Sequence, residues 1–453
     1  MKHNLQRRSA GNRGSTLVAA AIAAAILSIL IAGYLAYLTN AYRLGSRSDS
    51  WNDAMHLAEA GVELGMAEFN FPYQAGAGFA SSNGWTSQGA STYKKTVTNF
   101  TDSANAVVGS ISITVKSVGN NNPSILSVGT ASGGVITAAV SRAVYAVLTS
   151  TKRYPMSILS RSTLNFNGNN VYTDSYDSTD PTKSTSGLYD VAKRQANGDL
   201  FNIDGTTDST SIGNASIYGR ILTTPSGTVT MGASGDVGPT FVSADRATTV
   251  ADGNAKGYIL YNVTEDIPSV NLPSGAASWS SVTVGHGPTT WNTGDYKTSS
   301  LGLASADQMN INGKVRFYVT GAASVGGSAK VTIKTGASLE IYVGGNVTIS
   351  GGYTVNNTGS PGNNQWLGLP GSASWNVNGN GQWIGTIFAP DSDLTLTGGS
   401  AGDVSGSVVA KSLKFAGGTK IHYDEALGTI MNDGAYKLAS WQEYNNNSGT
   451  WGP

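Results

Sequence analysis

Four histidines (His3, His56, His286 and His422) and no cysteine limit the chemistry this chain can carry. A hydrolytic triad needs a histidine base, a carboxylate to orient it and a nucleophile in reach. His422, two residues before Asp424, is the one candidate base. Gly398-Gly399-Ser400-Ala401-Gly402 has the spacing of a nucleophile elbow, a motif that should open a helix after a buried strand. Here a glycine-rich turn and another β run follow instead. The simpler expectation is that His422 packs inside the terminal β element. No catalytic residue is expected, and the chain is read as a non-enzyme.

Oxygen ligands offer the other chemistry. Asp174, Asp177 and Asp180 cluster in a polar stretch, as do Asp391 and Asp393, and such carboxylates can hold calcium. Neither group completes a calcium-loop pattern, so solvated turns are expected and no cofactor is assigned. Trp279, Trp291, Trp366 and Trp375 are candidates for stacking on a ligand, since exposed tryptophan suits sugar rings and partner surfaces. The alternative is that they anchor the interior. A β-helix lyase or glycosidase would concentrate carboxylates on one face, and this chain has few charges to concentrate.

The elements that must hold these residues are mostly strands. Of 453 residues only 12% are charged, and glycine is abundant at 58. That balance fits a turn-rich exterior β protein. Zero formal net charge argues against a nucleic-acid partner. Ile111, Ile113 and Val115 alternate with Ser112, Thr114 and Lys116, a period-two strand with one buried face. From residue 154 short apolar runs recur between glycines and asparagines, such as Val315–Val319, Leu339–Val343 and Trp383–Phe388. Runs this short and regular predict stacked coils of a parallel β-helix. The competing arrangement is a sandwich or jelly roll.

Ahead of the strands lies a different kind of segment. No charge occurs between Arg13 and Arg43, and no proline before Pro72. About 20 apolar residues can span a bilayer as a helix. Lys2, Arg7, Arg8 and Arg13 give a positive flank that should stay cytoplasmic. Beyond the apolar run, Trp51, Met55, Ala58, Val62, Gly65 and Phe69 follow spacings of four and three, which continues the helix with one apolar stripe. Residues 72–92 read as a loop, from Pro72 and several glycines and serines.

Arg7-Arg8, Arg13-Gly14 and Ser15-Thr16-Leu17 resemble the leader and cleavage site of type IV prepilins. Leu57-Ala58-Glu59-Ala60-Gly61-Val62-Glu63 resembles the PilX class of minor pilins. The resemblance implies cleavage after Gly14 by a prepilin peptidase and N-methylation of Ser15. It also implies contacts with other pilin subunits through the helix, and passage from the inner membrane to an extracellular filament. Ala19 departs from the glutamate usual at that position, which fits a subunit with no neighbour above it. Segments at 344–351, 385–390, 406–411 and 421–427 resemble an uncharacterised β-rich domain found at the end of large PilX-like surface proteins.

The expected organisation is a leader (1–14), a long helix with a transmembrane N-terminal half (15–70), a pilin-like antiparallel meander (71–150) and a β-helix-like head (151–453). The fold class is mainly β with one long N-terminal α-helix. The expected function is a tip-located minor pilin whose head serves adhesion to a surface glycan or protein, or filament initiation. The rivals are a tip pseudopilin of type II secretion and a β-helix enzyme acting on carbohydrate.

Overall fold

The computed structural model describes residues 13–70, 79, 81–101, 107–118, 122–131, 139–168, 170–204, 209–262, 267–273, 275–356, 359–398 and 403–444. The protein is mainly β, with one long N-terminal helix, as its composition and periodicity predict. It divides into two compact units.

The first unit holds the helix Arg13–Asn70, 58 residues long, or about 85 Å at 1.5 Å per residue. Residues 15–45 are exposed on every side. The next turns behave differently: Ala54, Leu57, Ala58 and Val62 are buried. The expected stripe is therefore real but rotated. Ala58, Val62 and Gly65 lie at its centre, while Met55 is half-buried and Trp51 exposed at the margin. The reason is a close approach between backbones. A Cβ on Gly129 would collide with the Ala54 carbonyl and the Ala58 amide, and one on Gly61 with Ser127 and Ile111. Small residues on both partners draw the helix against the sheet, and the stripe turns to follow them.

That sheet has six strands in the order Trp85–Gly89, Thr92–Thr101, Val107–Lys116, Ser124–Ala131, Val140–Lys152 and Met431–Tyr444. The first five form an antiparallel meander. Ile111, Ile113 and Val115 are fully buried, as their alternation requires. Two sequence expectations change here. The stretch read as a loop over 72–92 contains the strand Trp85–Gly89. It is joined to the next strand at Ala90 and Ser91, both with positive φ (45° and 55°), the twist that closes a two-residue hairpin. Its polar residues hid it. The head, expected to run to residue 453, gives up the strand Met431–Tyr444, which pairs beside Val140–Lys152. The head is thus an insertion between two neighbouring strands of this sheet.

The second unit is a stack of parallel coils, each of three strands. Strands pair in parallel with the strand three positions further on: Gly294–Thr298 with Lys314–Val319, that with Ser338–Val343, and that with Asn364–Gly368. Like residues therefore lie above like. Phe317, Ile341, Trp366, Ile387, Val408 and Ile158 form one inward column in register. All six are fully buried.

The order of coils in space is not their order in the chain. The chain begins in mid-stack at Ile158–Ser160 and winds through Leu200–Asn202 and Ile221–Thr223 to Ile259–Leu260 at one end. It restarts at the far end with Ser280–Ser281 and winds back. The last coil, within Asp403–Gly417 and Lys420–Asp424, closes on the first, within Ile158–Tyr176. Arg153 N donates to Ile430 O at 2.9 Å, so the chain enters and leaves the head side by side.

One side of the stack carries a second, outward apolar column: Tyr342, Leu367, Phe388, Val409, Leu159 and Phe201. The segment that travels between the two ends covers it with Ile267, Val270 and Leu272. Arg161 pins this segment by donating from Nε to Ile267 O at 2.7 Å while pairing with Asp391 at 2.5 Å. The next side bears small polar residues outward, including Ser324, Thr348, Asn376 and Thr395.

Candidate functional site

A dense group of ionisable side chains lies at the joint between the last coil and the first. Parallel pairing places His422 beside Asp174. His422 Nδ1 lies 2.6 Å from Asp174 Oδ1, and both side chains are buried. The other ring nitrogen is 3.9 Å from Asp403 Oδ2. The Tyr189 ring stacks on the imidazole at 3.5 Å between centroids, and its hydroxyl donates to Asp174 Oδ2 at 2.7 Å. Arg194 reaches the same oxygen at 3.8 Å, and Lys420 lies 3.8 Å from Asp403.

Burial disfavours a charge on His422, yet the hydrogen bonds and charges of Asp174 and Asp403 outweigh it and raise its pKa above the ordinary imidazole value. Asp403 is held low despite its own burial, by His422 and Lys420. Burial and the Asp174 charge push Tyr189 well above the usual phenol range. The group is arranged as an ion network: the two carboxylates nearest the imidazole are themselves paired with Arg194 and Lys420. Among the described residues no serine or threonine hydroxyl hydrogen-bonds to the His422 ring.

The partner expected from sequence, Asp424, points elsewhere. It accepts from the Ser178 amide at 2.9 Å and the Ser178 hydroxyl at 2.7 Å. Ser400 of the elbow-like stretch lies outside the described residues. Sequence reading missed Asp174 as the partner because 248 residues separate it from His422; only the non-sequential closure brings them together.

The structure does not gather the three candidate calcium ligands. Asp174 is committed to His422 and Tyr189. Asp177 accepts from the Thr179 amide at 2.9 Å, and Asp180 accepts from the Thr182 amide at 2.8 Å and hydroxyl at 2.7 Å. Each of the latter two closes its own short turn. Those Thr182 bonds hold the Asp180 carboxyl below its ordinary value.

The tryptophans divide. Trp366 and Trp375 are fully buried, with indole N–H groups bonded to Asn364 Oδ1 at 3.1 Å and Ser372 Oγ at 2.7 Å. As core columns they cannot stack on an outside ligand, which corrects that expectation for these two. Trp366 lies in register between Ile341 and Ile387, and Trp375 between Val347 and Leu394, a placement that depends on pairing between distant strands. Trp291 is half-buried against Phe317 and Tyr296. Trp279, also half-buried, lies against the Arg316 guanidinium at 4.9 Å and edge-on to Tyr342 at 6.3 Å.

At the other extreme of the chain, Ser15 and Ala19 are exposed near the start of the helix. Gly14 is helical, and residues 1–12 of the leader lie outside the described residues. The helix is long and apolar enough to cross a membrane, and none of its most apolar stretch is buried within the protein.

Residues 276–430, about a third of the chain, match a family described as a domain of unknown function, DUF7305. No curated protein matches the sequence. Among solved structures, the competence-associated pilin ComZ of Thermus thermophilus is similar at 12% identity and a TM-score of 0.28, over 86% of this chain and 97% of that one. An ice binding protein from an Antarctic bacterium of the Flavobacteriaceae is similar at 11% identity and a TM-score of 0.21, over 59% of this chain and 80% of that one.

Proposed function

We propose that this chain is a minor, tip-located subunit of a type IV pilus-like filament, processed after Gly14 and methylated at Ser15. In this reading it presents a non-catalytic head for adhesion or filament initiation. The observation that carries the reading is the division of one helix. Residues 15–45 are exposed all round and apolar over most of that length, whereas Ala54 to Val62 are committed to an antiparallel sheet. An exposed apolar rod needs either lipid or other apolar helices around it. A subunit that waits in the inner membrane and then packs among like helices outside it meets both needs in turn.

Placement at the tip is supported by Ala19, which offers no carboxylate to the terminal amine of a neighbour. The non-catalytic assignment is supported by the ion network around His422. Intact-mass measurement on filament-fraction protein tests processing: a chain starting at methylated Ser15 is expected, and assembled material retaining Met1 would overturn it. Gold labelling of isolated filaments tests placement, since uniform decoration along the shaft would rule out a tip subunit.

A further inference from the structure

An open groove of about 390 Å³ lies at a corner of the coil stack, where Thr293, Asp295, Lys314, Arg316, Ser338 and Glu340 line it from three successive coils. Parallel register sets Asp295 beside Arg316 and Arg316 beside Glu340, about 4.8 Å apart. The Arg316–Asp295 pair is bidentate, with Nε to Oδ1 at 2.7 Å and Nη2 to Oδ2 at 2.6 Å. This fixes both planar groups. Trp279 against the guanidinium holds it further.

Two charged groups beside this pair keep bonding capacity. Lys314 is exposed and has no acidic partner among the described residues. Glu340 accepts the Tyr342 hydroxyl at Oε2, 3.0 Å away, and Oε1 has no partner among the described residues. Two carboxylates and two cations leave the groove without net charge. It therefore offers donors and acceptors alternating across the coils, with the Arg316–Asp295 pair fixed and Lys314 and Glu340 beside it.

We propose that this groove binds a neutral saccharide, as the ligand site of the adhesive head; the proposal rests on the adhesive reading above. A ligand suited to alternating donors and acceptors carries groups that are both at once, closely spaced. Vicinal hydroxyls on a pyranose do this, and the volume is within the range of small-molecule sites. An anionic ligand would meet Asp295 and Glu340 as well as the cations, and a cationic one the reverse.

The test uses full-length protein in detergent micelles, with cellotriose, mannotriose and chitotriose as neutral probes and trigalacturonate as the anionic probe, read by saturation-transfer NMR and titration. At least one neutral trisaccharide is expected to bind. Lys314→Ala and Glu340→Gln, both at partly or fully exposed positions, are each expected to weaken it about tenfold, as for one charged hydrogen bond. Failure of all three neutral probes, binding unchanged in both variants, or preference for trigalacturonate lost in Lys314→Ala would each overturn the proposal. Surface attachment by cells carrying the double variant separates the two readings. Attachment that persists leaves the adhesive role standing and removes only this groove.

Discussion

The ring of Tyr189 lies 3.5 Å from that of His422, inclined by 20°, and its hydroxyl bonds the same carboxylate, Asp174, that the imidazole engages. Tyr189 belongs to the long excursion between Tyr172–Tyr176 and Leu200–Asn202, Asp174 to the first coil and His422 to the last. The first coil, the excursion that follows it and the last coil are thereby fastened at one point.

This joint should respond to pH. A group whose folded pKa lies above its unfolded value contributes stability in full below the unfolded value, about 6.5 for histidine, and loses it as pH climbs through the folded value. His422 is raised in the folded state. The melting temperature of the full-length protein is therefore expected to fall as pH rises above about 6.5, and His422→Asn should flatten that part of the profile. An unchanged slope in the variant would show that the imidazole is not the titrating group.

The approach of helix to sheet should tolerate no side chain at position 129. Gly129→Val would place methyl groups against the backbone at Ala54 and Ala58. Overpacking of this kind costs about 1–3 kcal/mol. Denaturant unfolding followed by far-ultraviolet circular dichroism would report it, and a loss below about 0.5 kcal/mol would mean that the helix can simply shift away.

Trp375 is fully buried in a core column, so Trp375→Ala should cost about 3–5 kcal/mol. Trp279→Ala, at a half-buried position, should cost markedly less and alter the setting of Arg316 instead. Parallel thermal melts of the two variants decide this; equal losses would contradict the assignment of Trp375 to the interior and Trp279 to the rim.

Arg153 and Ile430 are joined by a backbone hydrogen bond, so residues 154–429 should be replaceable by a short glycine-containing turn. The shortened chain is expected to keep the helix and the six-stranded sheet, with normal piliation and lost attachment. Lost piliation with the sheet intact, checked by circular dichroism, would favour the initiating role. Full attachment would sink the adhesive one.

Much of the architecture is legible in the residues because its signals are local. Alternation at Ile111, Ile113 and Val115 gives a strand directly, and an uncharged run after Arg13 gives a helix that can cross a membrane. Short runs such as Leu339–Val343, spaced by glycine, give coils. What is not legible depends on register between distant segments. The inward setting of Trp366 and Trp375, the partnership of Asp174 with His422, and the return of Met431–Tyr444 to the first sheet arise from pairing across many intervening residues. Trp85–Gly89 was hidden for another reason, since an edge strand with one buried residue has no alternation to read.

The order of the coils sets a schedule for folding. The first coils are made early, yet Ile158–Ser160 and Leu164–Phe166 have one neighbour missing until Asp403–Gly417 arrives. Contacts separated by this much chain form slowly. A chain made from its N-terminus therefore holds an unpaired row of strand edges until its last coil has formed. A truncated chain keeps that row exposed to proteases, so the closing coil also acts as a check that the whole head has been made.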